Sequence, residues 1–337
     1  MLYFSHSSSL EHDPGAMVEG HPDSPVRIEA IQRAMQASDW LGCQVRDAPA
    51  ATEAELQLIH TPEHVQAIKD LSARGGGEVD EDTYVSEGSY SAALHAAGGA
   101  CAMVRALMAG EDSRAFCALR PAGHHATPER AMGFCLFNNV AVAAEVARRE
   151  LGAERVLIVD WDVHHGNGTV EAFRTRDDVL VAGIHQRDLY PGSGAITDMG
   201  SGPGFRYTIN LPVPRGSDGE VWVSLLEHVI LPIGEQFAPQ LILISAGFDA
   251  HVGDPLGGCR VDTESFAQMA LHVDELGRKL NAPVGAQLEG GYDPKALADS
   301  ALATIGALKS ERNPDSIAPD QIVTPRAAAH ISHYWDL

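Results

Sequence analysis

The sequence predicts a single α/β domain: a mostly parallel, multi-stranded sheet with helices on both faces. Three observations predict it. Short apolar runs alternate with segments of helical periodicity along most of the 337 residues. The apolar runs lack the every-second-residue polarity of a sheet with one wet face, so both faces need cover, as in parallel sheets. No linker, repeat or low-complexity stretch divides the chain, so one domain is expected over residues 1–337.

Taken in order, helical periodicity marks "SPVRIEAIQRAMQAS", "SYSAALHAAGGACAMVRALMAG", "NNVAVAAEVARREL", "DGEVWVSLLEHVILPIGEQF" and "TESFAQMALHVDELGRKL". Between them, "FCAL", "VLIVDWDV", "VLVAGI", "YTINLPV", "LILISAGFD" and "VGAQLEGGY" read as buried strands. The Gly-rich "ARGGGEVDEDTYV" and "MGSGPGF" are expected to be surface loops.

Lys and Arg number 24 against 46 Asp and Glu, a formal charge of −22. That balance argues against nucleic acid or anionic membrane as partners and leans toward cationic ones. The five cysteines, at positions 43, 101, 117, 135 and 259, form no CxxC pair, so neither a disulfide framework nor a thiolate zinc cage is expected. The opening "MLYFSHSSSLEHD" lacks a basic start followed by an apolar run, so no leader is expected, and no apolar run has the length of a membrane span. A soluble cytoplasmic chain is the expectation, with self-association into a homo-oligomer allowed for.

In alternating α/β folds, chemistry sits beyond the carboxyl ends of the strands. There "VLIV" leads into Asp160, Asp162, His164 and His165, with 160, 162 and 164 on one side of an extended chain. "LILISAGF" leads to Asp249, "VGAQLEGG" to Tyr292, and "FCALRPAG" to His124 and His125. A lone Asp at a strand end is ordinarily a helix cap and a lone His a satisfied core residue, but four strand ends together suggest a shared metal site. Asp and His donors suit Zn²⁺, and would also take Fe²⁺, Co²⁺ or Mn²⁺; three protein ligands leave the open position of a catalytic centre.

Several look-alikes fail. "HTPEH", His60 to His64, imitates a zincin helix, but Pro62 interrupts the turn that would align the two imidazoles. "GNGTVE" imitates a dinucleotide fingerprint, yet Glu171 replaces its third Gly and the neighbouring acids would repel a pyrophosphate. Neither a phosphate loop nor a GxSxG nucleophile elbow is present.

"RPAGHHA", "GFCLFNNVAVAA", "VLIVDWDVHHGNGT", "YPGSG", "SAGFDAHVGDPLGGCRV" and "LEGGYDP" stand in one order along the chain. In these motifs the sequence resembles the histone deacetylase superfamily, nearest in wording to its class II and bacterial amidohydrolase branch. The resemblance implies the arginase/deacetylase fold, with Asp162, His164 and Asp249 as zinc ligands. It implies that His124 and His125 flank the reacting water, His125 transferring protons and His124 acting mainly through charge. Asp160 and Asn167 would stand behind these two imidazoles, giving them unlike basicity. Tyr292 would donate to the substrate carbonyl.

Phe134 and Tyr190 would be the walls of a narrow channel kept narrow by Gly133, with Gly291 and Leu256 also at the substrate. Read without the motifs, the two aromatics would be core. His185 lies near this rim. A structural K⁺ would be held by Asp160 and the carbonyls of Asp162, His164 and Ile184, with Gly183 where many members offer a Ser. Glu87 or Ser89 lies in the loop that carries a substrate-gripping acid elsewhere in the family.

The function implied is zinc-dependent removal of acetyl or another short acyl group from lysine side chains of a peptide or protein. The alternative substrate is an acetylated polyamine, for which Asp13, Glu19 and Asp23 are candidate rim acids; the gatekeeping acid expected after "GDP" is instead Leu256. The binuclear manganese ureohydrolases share the fold but need a carboxylate where this chain has Gly166. A non-catalytic zinc-containing binding module would be expected to lack Tyr292, which is present.

Overall fold

The strands follow in chain order as β1 (Leu2–Ser5), β2 (Gln44–Asp47), β3 (Gly76–Asp80), β4 (Thr83–Ser86), β5 (Arg114–Cys117), β6 (Val156–Asp160), β7 (Val179–Gln186), β8 (Thr208–Val213), β9 (Leu241–Ala246) and β10 (Val284–Leu288) in the computed structural model, which describes residues 1–337. Eight of them pair in parallel in the order β2-β1-β5-β10-β9-β6-β7-β8. β3 and β4 form a separate antiparallel hairpin.

Period-two alternation divides each central strand between two apolar cores. Leu157 and Val159 of β6, Leu180 and Ala182 of β7, and Ile242 and Ile244 of β9 enter one core. Val156, Ile158, Val179, Val181, Leu241 and Leu243 enter the other. Both faces are therefore dry, which is why these runs carry no polar alternation.

The helices are α1 (Val26–Ala37), α2 (Glu53–Leu56), α3 (Pro62–Ala73), α4 (Ser89–Met108), α5 (Asn139–Glu150), α6 (Asn167–Phe173), α7 (Gly219–Leu225), α8 (Leu231–Phe237), α9 (Thr263–Leu280), α10 (Pro294–Lys309) and α11 (Val323–Ile331). α1, α7 to α11 cover the first core; α3, α4, α5 and α6 cover the second. None is long and apolar enough to cross a membrane.

Register explains where the polar clusters meet. Gln287 of β10 is level with Cys117 and Ser245, and Asp160 of β6 is level with Ser245 and Gly183. Four adjacent strands thus end together, and the segments beginning at Ala118, Trp161, Gly247 and Glu289 emerge side by side.

The structure departs from expectation in three places. Residues of "GGGEVDEDTYV" pair as the β3–β4 hairpin instead of a loop, its acidic turn giving little strand signal. The segment 218–237 is two helices joined by a π-turn at Leu226–Ile230, just ahead of Pro232, whose missing N–H cannot continue the α ladder. α3 does form through the "HTPEH" stretch, because Pro62 occupies its first turn, where a missing N–H costs nothing, with Thr61 as cap. His60 consequently precedes the helix and cannot share a helical face with His64. β1, β2, α10 and α11 complete the fold.

Candidate active site

Asp162, His164 and Asp249 are buried, and their ligand atoms lie within 4.8 Å of one another. The Nδ1 of His164 is 3.1 Å from Asp162 Oδ1 and 3.1 Å from Asp249 Oδ2. The remaining carboxylate positions are held by backbone amides: Val163 N–H donates to Asp249 Oδ1 at 2.8 Å and Gly290 N–H to Asp162 Oδ2 at 2.8 Å. Burial opposes a charge on His164, but Asp249 and Asp162 outweigh it and push its pKa up to about 10. Burial and the charge of Asp162 push Asp249 up to about 7. Two dry carboxylates facing one imidazole leave negative charge in excess, and that fits a divalent cation at this point. The donor set of one nitrogen and carboxylate oxygens suits Zn²⁺.

His124 and His125 stand beside this triple, ring centroids 4.0 Å apart. His124 Nδ1 is 3.0 Å from Asp160 Oδ2, and His125 Nδ1 is 2.8 Å from the Asn167 side-chain oxygen. A carboxylate oxygen only accepts, so His124 donates through Nδ1; Asn167 Oδ1 likewise takes the Nδ1 proton of His125 and leaves its Nε2 free. Burial disfavours charge on both rings. For His124 the nearby Asp162 and Asp160 reverse this, and its pKa lies well above the usual histidine range. For His125, burial is reinforced by positive His124 and His164, and its pKa lies well below. Similar rings are thus driven to opposite protonation states, the arrangement that separates a charged partner from a base.

Tyr292 follows the tight Gly290–Gly291 turn after β10. Its hydroxyl makes no hydrogen bond within the chain, while its backbone N–H donates to Asp254 Oδ2 at 2.6 Å. Burial holds the phenol protonated, well above the ordinary tyrosine range, with Arg27 opposing. The Arg27 guanidinium lies 4.8 Å from the ring centroid. Phe134 meets Tyr292 edge to face at 5.6 Å, and Tyr190 meets His125 at 5.1 Å. Gly133 separates His125 from Tyr190: a Cβ there would lie 2.5 Å from His125 Cδ2 and 2.8 Å from Tyr190 Cε1. Leu256 is half-buried on the Asp254 turn, its N–H donating to Asp254 Oδ1 at 2.9 Å.

Other expected residues have different places. Asp23 is no rim acid: it is fully buried, bonded to Arg27 Nη1 at 2.7 Å and Arg120 Nε at 2.8 Å, with His12 at 3.2 Å. Its carboxyl is accordingly held well below the usual range, the two guanidiniums and His12 outweighing burial. Ser89 is buried at the start of α4, bonded to His12 and to Ser86 N–H, which leaves no hydroxyl for substrate. Gly291 contributes backbone, its carbonyl accepting from Arg27 Nε at 2.5 Å. Gly183 lies beside Asp160 on β7, with Ile184 next to it in the core. At Gly166 a Cβ would lie 2.2 Å from Asp160 Oδ2, so the position has no room for a further carboxylate.

Sequence reasoning missed Glu289, Arg27, Arg120 and Asp254. Buried Glu289 accepts from the N–H groups of Gly123 at 2.7 Å and His124 at 3.1 Å, fixing the backbone that carries the tandem imidazoles. Arg27 also donates to the Glu289 carbonyl at 2.6 Å, so one guanidinium holds both ends of the turn before Tyr292. "LEGGY" and "LRPAG" did mark Glu289 and Arg120 as charges within apolar context, the one local signal they offer.

The Histone deacetylase domain model matches residues 21–308. The chain is 42% identical over 304 residues to a probable deacetylase of Methanothermobacter thermautotrophicus, covering 89% of this chain and 90% of that protein. It is 37% identical over 297 residues to the histone deacetylase-like amidohydrolase of Pseudomonas aeruginosa, covering 87% and 78%. Histone deacetylase 15 of Arabidopsis thaliana is 40% identical over 325 residues, and the chain spans 57% of that longer protein. The crystal structure of the HDA15 HD domain superposes with a TM-score of 0.91 at 35% identity, over 99% of this chain and 94% of that one.

Proposed function

The chain belongs to the histone deacetylase family of amide hydrolases, and on that premise we propose that it is a zinc-dependent deacetylase that removes acetyl or another short acyl group from the ε-amino group of lysine. The observation that carries the reading is the pairing of an Asp–His–Asp triple with two adjacent imidazoles held by unlike partners, His124 by the Asp160 carboxylate and His125 by the neutral Asn167 amide.

Asp162, His164 and Asp249 would hold the ion, which when bound supplies Lewis acidity to the acyl carbonyl and to a water molecule. His125, with Nδ1 committed to Asn167, offers Nε2 as the base that takes the water proton and returns it to the departing amine. His124 stays charged against Asp160 and offsets negative charge developing on the acyl group. Tyr292, held neutral by burial, donates a hydrogen bond from its hydroxyl to the carbonyl oxygen. Phe134 and Tyr190 flank an aliphatic stem. The reading does not depend on a structural K⁺ at Asp160. Five free cysteines support a reducing, cytoplasmic setting.

Leu256 at the rim and the burial of Asp23 beneath two arginines support a lysine side chain over a polyamine, since neither offers a carboxylate to a second amine. The test is hydrolysis of an acetyl-lysine peptide beside N-acetylputrescine by the zinc-loaded enzyme. The peptide should be the better substrate; a preference for N-acetylputrescine would assign the polyamine activity, and turnover of neither would refute the enzyme reading. Tyr292→Phe should keep its zinc and lose about 10²- to 10³-fold in turnover.

A further inference from the structure

Two buried imidazoles, His165 and His185, take no part in the chemistry above. They lie on neighbouring strand ends, ring centroids 4.8 Å apart. His165 Nδ1 hydrogen-bonds Ser193 Oγ at 2.8 Å, and His185 donates through Nε2 to the Gly194 carbonyl at 2.9 Å. Gly194 rests directly on both rings: a Cβ there would lie 2.5 Å from His185 Nε2 and 2.7 Å from His165 Cδ2. Backbone φ at Gly194 is +85°, which also favours glycine.

Ser193 and Gly194 belong to the loop that carries Tyr190. Between residues 188 and 197, the bonds to His165 and His185 are the only hydrogen bonds that reach an element outside the loop; Gly192 N–H and Asp198 N–H close turns within it, to Leu189 and Ala195. His165 directly follows the ligand His164, so one end of this connection is anchored at the metal triple and the other at the wall that faces it. An aliphatic pair would fill the same volume without burying polar rings, so what the imidazoles add is the two directed bonds.

We propose that His165 and His185 are positioning residues that set the distance of the Tyr190 wall from the metal centre and thereby the grip on the acyl-bearing side chain. The inference rests on the deacetylase reading above and extends it to substrate affinity. A loosened wall weakens ground-state and transition-state binding alike, so KM rises while kcat holds.

The test uses zinc-loaded enzyme with an acetyl-lysine peptide, zinc content measured for every variant. Ser193→Ala, at an exposed site, and His185→Leu should each raise KM about fivefold, the equilibrium equivalent of one neutral hydrogen bond, with kcat within about twofold. His185→Gln, whose amide reaches the same carbonyl, should restore KM. Amide hydrogen exchange over residues 192–196 should quicken in Ser193→Ala and His185→Leu and recover in His185→Gln. Unchanged exchange overturns the proposal, whatever the KM. Faster exchange with unchanged KM overturns it too, because the pair would then serve the fold alone. Wild-type enzyme inactive on every acyl amide would instead refute the deacetylase reading, and the exchange result would remain interpretable by itself.

Discussion

His60 makes acid a specific threat to the tandem-imidazole loop. It is buried, its Nδ1–H donates to the Thr127 carbonyl at 3.0 Å, and its Nε2 accepts the Asn138 N–H at 2.8 Å. Both nitrogens are committed to the neutral ring, since a second proton would oppose the Asn138 N–H. Burial, aided by His64, lowers its pKa to about 3, against about 6.5 in an unfolded chain. The folded pKa is the lower one, so the unfolded state takes up the proton first. Stability is unaffected above about pH 6.5 and falls by about 1.4 kcal/mol per pH unit below it, until the folded ring titrates. Between pH 7 and pH 5 the interval below 6.5 is about 1.5 units, which makes the loss about 2 kcal/mol from this residue. Urea unfolding of metal-free wild type and His60→Gln at both pH values isolates it, because the other histidines cancel in the difference. Wild type should lose about 2 kcal/mol more than the variant on going to pH 5; equal losses would refute the assignment of a neutral, doubly engaged His60.

Other perturbations act on the site directly. Gly133→Ala places a methyl 2.5 Å from His125 Cδ2 at a φ of +56°, and should lower kcat/KM about 10²-fold with metal content unchanged, checked by steady-state kinetics and elemental analysis. Gly166→Asp, the change that would supply a ureohydrolase-like ligand, should displace the Asp160–His124 pair and abolish turnover without binding a second equivalent of metal in a titration. Arg27→Met removes bonds to Asp23, Glu289 and Gly291 at once and should destabilise the fold by about 3 kcal/mol, read as a lower denaturation midpoint.

Much of the fold was legible because a dry parallel sheet writes itself locally. Each of "VLIV", "VLVAGI" and "LILISA" is a run in which alternate residues serve different cores, so the whole run must be apolar. β2 was less visible for a physical reason: it is an edge strand whose residues are mostly exposed, so "QVRD" carries no burial signal. The hairpin was obscured by glycines and acids that pair through backbone alone.

At the site, the charged letters at strand ends were sufficient for the central geometry. Asp160 lies in hydrogen-bond contact with His124 and Asn167 with His125. What remained hidden depends on contacts between residues distant in sequence. Asp23 read as a rim acid because a short loop rich in Asp, Glu and Pro is ordinarily wet; only the arrival of Arg120, 97 residues on, makes it a buried counterion. Ser193 reads as loop composition until His165 is seen beneath it.

The glycines are the least legible part and constrain the chemistry as strongly as the ligands. A Cβ at Gly290 would lie 2.0 Å from Asp249 Oδ2, and one at Gly166 would lie 2.2 Å from Asp160 Oδ2. The backbone must approach these oxygens closely, and at Gly290 it does so to donate its N–H to Asp162. "EGGY" and "HHGNG" therefore encode space around the carboxylates as well as turns. Gly166 in particular links two questions that the sequence posed separately: the missing second-metal ligand and the unlike basicity of the two histidines. Any side chain there would collide with the carboxylate that holds His124 charged, so a second-metal ligand at this position and the Asp160–His124 pair exclude each other in this geometry.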